Sequence, residues 1–390
     1  MLKVGIIGTG NISPAHIKGY LEFPQRCEIV ALCDVVPERA EEKKERFGLT
    51  GATVYSDHRA MLEAVPDLDL VSIATPPFCH AEITIDCLHA GVNVLVEKPM
   101  APSLEECDAM LEAQWKSGKV LSVVAQNRFR DDMIILKDAL DSGLAGPIAH
   151  LKVDSAWWRG KPYYDLWWRG TWKSEGGGPT LNHAIHHLDL TLWLMGQPEA
   201  VTAVLTNAWH DNSEVEDLSV AILSYDHALA EITSSVVHHG EEQAIVAQGR
   251  DARISQPWKV VASVSQPNGF PHPDGNPELT AQLEAIATAH EPLAHPGHTG
   301  QIDDVLSAIE EGRPPAIDGE AGRATVELVT AIYEAGIEHR TVTLPLAADD
   351  PYFTSAGLLE RAPHFFEKTA SVEDLGGFIT VPGSPDPAQQ

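Results

Sequence analysis

Val4-Gly5-Ile6-Ile7-Gly8-Thr9-Gly10-Asn11-Ile12-Ser13 decides the fold of the first half of this chain. A short apolar run meets a Gly-x-Gly turn, and apolar residues at helical spacing (Ile12, Ile17, Tyr20, Leu21) follow, which reads as strand, tight turn, helix. In such a turn Gly8 permits the bend, while Gly10 clears room for a diphosphate at the positive helix N-terminus, beside Asn11 and Ile12. Ser13 stands where a third glycine would complete the fingerprint. Glu28 to Cys33 reads as the second strand and ends at Asp34. An acid there accepts both hydroxyls of an adenine ribose and repels a 2′-phosphate. No Arg or Lys follows before Arg39, so NAD is favoured over NADP. The competing reading of Asp34 is a cap for the helix that Pro37 opens.

Further strands at 70–74, 92–96 and 120–125 alternate with helical stretches at 37–47, 58–64, 80–90 and 103–117, the doubly wound α/β pattern. Right-handed crossovers bring the following loops to one sheet edge: Thr75-Pro76-Pro77, Glu97-Lys98-Pro99 and the loop carrying Arg128. Lys98 is the sharpest candidate, since an ammonium there holds a substrate hydroxyl and stabilises a developing alkoxide. The competing reading of Glu97 and Lys98 is a solvated ion pair at the mouth of the strand.

A second decisive stretch is Glu175-Gly176-Gly177-Gly178-Pro179-Thr180-Leu181-Asn182-His183-Ala184-Ile185-His186-His187-Leu188-Asp189. Three glycines allow close backbone approach to a ligand, and one continuous helix would project Asn182 and His186 from the same face. That equips the face to take a proton from a hydroxyl group. His183 and His187 fall on another face and no ligand set completes around them, so no metal is expected.

From Ile148 onward, strand-like segments at 148–156, 200–208, 217–225, 228–237, 243–248 and 252–264 predict an α+β domain with a large, mostly antiparallel sheet. Both faces of 218–225 are rather apolar, which points to helices on one side and a second subunit on the other. Helices at 299–312 and 319–337 are placed to pack back on the first domain. The loop 157–173 holds five of the nine tryptophans and four basic residues. It supplies substrate candidates Trp158, Arg159, Lys161, Trp168, Arg169, Trp172 and Lys173, with the basic groups suited to an anionic substituent. Tyr163 and Tyr164 are candidates for proton transfer, and packing in a core or interface is the competing role for the tryptophans.

Lys plus Arg total 27 against 56 Asp plus Glu, a net charge of −29 that repels phosphate backbones and anionic lipid surfaces. Nucleic-acid and membrane partners are therefore not expected. The five cysteines follow no disulfide or metal spacing, and the chain shows no leader or membrane span, so a reducing cytoplasm is expected. The acidic, Pro-rich stretch 345–390 reads as an extended tail whose last ten residues are disordered.

Taken in order, Gly8-Thr9-Gly10-Asn11-Ile12-Ser13, Asp34, Ala74-Thr75-Pro76-Pro77 with His80, Glu97-Lys98-Pro99-Met100, Gly176 to Gly178, and Asn182 to Asp189 before Trp193-Leu194-Met195-Gly196 resemble the Gfo/Idh/MocA family of glucose-fructose oxidoreductase and inositol dehydrogenase. The resemblance implies a Rossmann domain over 1–125, a substrate and assembly domain with an open-faced sheet over 126–345, and a tail over 346–390. It also implies a homodimer or homotetramer formed through that sheet. Thr75, Pro76, His80 and Glu97 would then contact NAD, with Glu97 on the nicotinamide ribose. Lys98 and His186 would meet the reacting carbon of a sugar or cyclitol. Inositol dehydrogenase-like members carry aspartate where this chain has Asn182, so His186 is the better general base and Asn182 is expected on a substrate hydroxyl. The resulting expectation is an NAD-dependent dehydrogenase acting on a secondary hydroxyl, C3, of a pyranose or glycoside. The alternative is an NAD-dependent glycosidase that oxidises C3 transiently, eliminates the aglycone, adds water and returns the hydride. A non-catalytic sensor is a third reading, disfavoured by the presence of both Lys98 and His186.

Overall fold

The computed structural model describes residues 1–373. Six parallel strands form the first sheet: β1 (Leu2–Ile7), β2 (Cys27–Cys33), β3 (Thr53–Tyr55), β4 (Leu70–Ile73), β5 (Asn93–Val96) and β6 (Leu121–Val123). Their order is β3-β2-β1-β4-β5-β6, so the direction of winding reverses between β1 and β4 and opens a crevice at the strand ends. Both faces are covered by helices, and the four residues of β4 and of β5 are all buried, as parallel strands require.

The second sheet has eight strands: β7 (Ile148–Ala156), β8 (Ala200–Thr206), β9 (Leu218–Ser224), β10 (Leu229–Ser235), β11 (Gln243–Gly249), β12 (Ala252–Gln256), β13 (Lys259–Ala262) and β14 (Val342–Thr343). All its neighbours are antiparallel except β7 and β10. The single strand expected at 252–264 is a hairpin, turning at Pro257 and Trp258 between β12 and β13. Alternation sorts β8 cleanly, with Val201, Ala203 and Leu205 inward and Val204 64% exposed on the far face. Val220 and Leu229 are also exposed, so the sheet shows an apolar outer surface.

Two helices from the carboxy-terminal half tie the sheets together. Gly297–Glu311 lays Ile302, Val305 and Leu306 into the core that holds Val4, Ile6 and Leu32. Gly19 makes this approach possible, because a Cβ there would lie 2.5 Å from Ile302 Cδ1. Gly319–Glu338 meets β6 through Gly322 and β8 through Gly336. The stretch after 345 is not wholly extended: Ser355–Arg361 is helical, and the chain beyond it crosses the tryptophan-rich loop. There Trp172 Nε1 donates to Pro363 O at 2.7 Å, Lys368 binds the carbonyls of Tyr164 and Leu166, and Val372 pairs with Leu166. The disorder expected for the last ten residues lies outside the described residues.

Candidate active site

Gly8 has φ +88, and a Cβ on it would meet the Ala74 backbone at 2.6 Å, so only glycine lets β1 turn against the end of β4. Gly10 has nothing within 4 Å of its added Cβ, which leaves the room a diphosphate needs over the helix Ser13–Leu21. Ser13 is fully buried and donates its hydroxyl to Gly10 O at 2.8 Å, bracing the turn where a third glycine would otherwise stand. Asp34 closes the same turn. Its carboxylate accepts from Thr9 N and Thr9 Oγ1, each at 2.8 Å, and from Val36 N at 2.9 Å in a local turn, and it does not cap the helix Pro37–Arg46, whose N-cap is Val36. Across the crevice Thr75 Oγ1 is buried without a partner, a hydroxyl that a ligand would satisfy. These features fit a dinucleotide.

His80 lies between two of the loops. Its Nδ1 is 2.8 Å from Pro99 O and its Nε2 2.9 Å from Thr75 O, and the single N–H of the neutral ring donates to one of these carbonyls. Glu97 is not at a solvent mouth. It is buried, with Oε1 3.0 Å from His16 Nε2 and 3.4 Å from His298 Nε2, and these imidazoles hold its carboxyl well below the usual range against the opposing effect of burial.

Lys98 and His186 line one recess, together with Met100, Ala125, Asp189 and Thr325. Burial, and after it the charge of Lys98, hold His186 well below the ordinary histidine range. Its imidazole is thus neutral and able to accept a proton. Burial also lowers Lys98, an effect that Glu97 opposes.

Asn182 does not share a helix with His186. The chain forms Pro179–Asn182, breaks at His183 and Ala184, and restarts as Ile185–Met195. The Asn182 amide nitrogen turns back to donate to Gly177 O at 2.8 Å and Glu175 Oε1 at 3.1 Å, which organises the glycine loop. Its contribution to the site is the backbone carbonyl, 3.5 Å from Lys98 Nζ. The glycines serve protein packing in the same way. A Cβ on Gly177 would lie 2.0 Å from the Tyr333 hydroxyl, and one on Gly178 would lie 1.9 Å from Glu216 O. Glu216 accepts from Gly178 N, Thr180 N and Tyr333 Oη, and burial pushes its carboxyl up to about 7.

The tryptophan-rich loop divides. Trp172 is 2% exposed and edge-on to Tyr333, and Tyr164 is 1% exposed between Tyr163 and His210, so both pack in the core. Arg128, a substrate candidate from its loop position, is held by a carboxylate. It grips buried Asp189 through two hydrogen bonds, of 2.8 and 2.6 Å. Arg159 pairs with Glu241, Lys161 with Asp211 at the surface and Arg169 with Glu175, while Lys173 is exposed. Arg169 lies over both Tyr163 and Trp168, 4.1 Å from each ring centroid. The Tyr163 hydroxyl, pushed up to about 12 by burial, is 3.4 Å from His183 Nε2. Trp158 is exposed and stacks on His239. Glu175, Glu216 and His298 carry no signal of a site in the sequence; His16 carries one, a polar residue on the apolar face of the first helix, and His183 one, its i, i+4 spacing with His187.

The first sheet has the strand order and the Gly8 turn of a nucleotide-binding fold, and Lys98 and His186 line one recess. The chain belongs to the GFO/IDH/MocA family: the model described as an oxidoreductase family with NAD-binding Rossmann fold matches residues 2–125, and that of the GFO/IDH/MocA C-terminal domain matches 133–255. Its first domain is accordingly an NAD-binding domain. D-glucoside 3-dehydrogenase of Escherichia coli is 32% identical over 50% of this chain and 55% of its own length. Levoglucosan dehydrogenase of Pseudarthrobacter phenanthrenivorans is 33% identical over 53% of this chain and 54% of its own. The chain thus spans about half the length of these two relatives. The crystal structure of the WlbA dehydrogenase from Bordetella pertussis with NADH and UDP-GlcNAcA superposes with a TM-score of 0.74 at 28% identity, covering 89% of this chain and 99% of that one.

Proposed function

We propose that the protein is an NAD-dependent dehydrogenase that oxidises a secondary hydroxyl, C3, of a pyranose or its glycoside. The observation that carries this reading is the recess shared by Lys98 and His186, with the imidazole kept neutral. His186 takes the hydroxyl proton as the O–H bond breaks, and the Lys98 ammonium stabilises the alkoxide until the carbonyl forms. NAD supplies the acceptor for the hydride from carbon. The names of the glucoside and levoglucosan relatives support a sugar ring as substrate, and the first supports C3. Pairing of Arg159, Lys161 and Arg169 with carboxylates favours a neutral sugar over an anionic one.

A second reading, redox-neutral glycoside cleavage, draws on the Tyr163 and His183 contact. One experiment separates the two. The protein is incubated with NAD and a panel of neutral and anionic glycosides while reduced cofactor and free aglycone are followed together. Accumulating reduced cofactor with intact glycoside supports the dehydrogenase; aglycone release without net reduction supports cleavage; neither signal on any sugar defeats both. The exposed Val204, Val220 and Leu229 support assembly through the second sheet. Five free cysteines support a reducing compartment, and no helix among the described residues is long and apolar enough to cross a membrane.

A further inference from the structure

Three side chains from distant parts of the chain converge beside Lys98. His16 comes from the helix Ser13–Leu21, Glu97 from the end of β5 and His298 from the first turn of Gly297–Glu311, and their ligand atoms all lie within 4.8 Å of one another. Both imidazoles present Nε2 to the same carboxylate oxygen, at 3.0 and 3.4 Å. We propose that His16, Glu97 and His298 form a binding site for a divalent transition-metal ion, with zinc the best match to the donor set.

The spacing supports this. A tetrahedral centre with bonds of about 2.1 Å has ligand atoms roughly 3.4 Å apart; the His298 separation of 3.4 Å matches that edge, the His16 separation of 3.0 Å is slightly shorter, and all three ligand atoms lie within 4.8 Å of one another. Two imidazoles and one carboxylate suit zinc or cobalt, whereas magnesium and calcium require oxygen-rich cages. The surroundings are also those of a ligand. His16 Nδ1 lies 3.1 Å from Ser72 Oγ, itself 2.7 Å from the Tyr20 hydroxyl, and such backing fixes the orientation of a ligating ring. The Ser72 hydroxyl serves either tautomer. It donates to Nδ1 when Nε2–H points at Glu97, and accepts from Nδ1–H when Nε2 offers its lone pair to a cation.

Access is one-sided. His16 is fully buried and Glu97 nearly so, while His298 is partly exposed, so an ion enters past His298 and keeps a water on that side. The occupancy of this site is measured without any sugar; where NAD reaches Glu97 in the proposed function, metal and cofactor compete for that carboxylate.

The test is titration of the metal-free full-length protein with Zn²⁺, by calorimetry, and with Co²⁺, by visible absorption. The expected result is one ion per chain, with affinity weakened about tenfold or more in His298→Ala and in Glu97→Gln. Zn²⁺ is expected to weaken NAD binding to the wild type and not to His298→Ala. Unfolding of metal-free His298→Ala at the wild-type midpoint shows that lost binding is not lost folding. No saturable binding at one equivalent overturns the proposal. So does unchanged affinity in both variants, which assigns the heat to surface histidines such as His227.

Discussion

Gly177 and Tyr333 occupy the same space: the tyrosine hydroxyl sits where a side chain at position 177 would begin, 2.0 Å from an ideal Cβ, and the glycine has φ +152. Neither partner can retreat. Tyr333 is 2% exposed, is edge-on to Trp172 and donates to Glu216. Gly177→Ala is therefore expected to destabilise the protein by about 3 kcal/mol or more, through overpacking together with backbone strain. A denaturant midpoint equal to wild type would show that the loop relaxes freely.

His186→Ala removes the proton acceptor and is expected to lower kcat by a factor of about 10² to 10⁴. Steady-state rates on whichever sugar is turned over by the wild type decide this, and an unchanged kcat removes His186 from the chemistry.

The pH profile follows from the same residue. His186 is held well below 6.5, so the active neutral form persists as pH falls through 6.5, and the acid limb of kcat/KM lies well below that value. Lys98 is the largest cause after burial. In Lys98→Met the residual activity is expected to lose its acid side at higher pH than in the wild type. A limb that stays in place would mean the lysine charge does not reach the imidazole.

Stability should depend on pH through His187. Burial pushes it down to about 4 from 6.5, and its Nδ1 is buried without a partner. Above pH 6.5 folded and unfolded forms are both neutral here and the residue contributes no pH slope. Below 6.5 the unfolded chain binds the extra proton, so stability falls toward pH 4, by about 2 kcal/mol at pH 5. His187→Leu is expected to flatten that slope in chemical denaturation at pH 7 and pH 5; an equally steep loss would assign it to other groups.

Arg128→Met leaves Asp189 as a buried carboxylate without its cation and is expected to cost about 3 to 5 kcal/mol. Arg128→Met combined with Asp189→Leu should recover most of that loss. If the single variant instead raised KM at wild-type stability, the arginine would be a sugar ligand after all.

The nucleotide-binding half was readable because each of its signals is local. The β1 run, Gly8, Gly10 and Asp34 stand within one strand-turn-helix-strand unit, and their periodicity dictates the outcome. β3 and β14, of three and two residues, are too short to carry a pattern. The site was legible at Lys98 and His186, where residue type and loop position coincide. The sequence is silent wherever a polar residue answers to a partner fixed by the fold: Asn182 to Glu175, Arg128 to Asp189, His80 to Pro99. A triple glycine announces close approach, yet the sequence does not say of what. Here the approaching atoms are Tyr333 and Glu216, far along the chain. His298 illustrates the same limit, since only the packing of its helix on Ser13–Leu21 brings it to Glu97.

The segment around Lys368 and Val372 anchors the carbonyls of Tyr164 and Leu166 from some 200 positions downstream. The shape of the loop 157–173 is thus settled by chain far downstream of it, whereas the bend at Gly8 answers to residues no further along than Thr75.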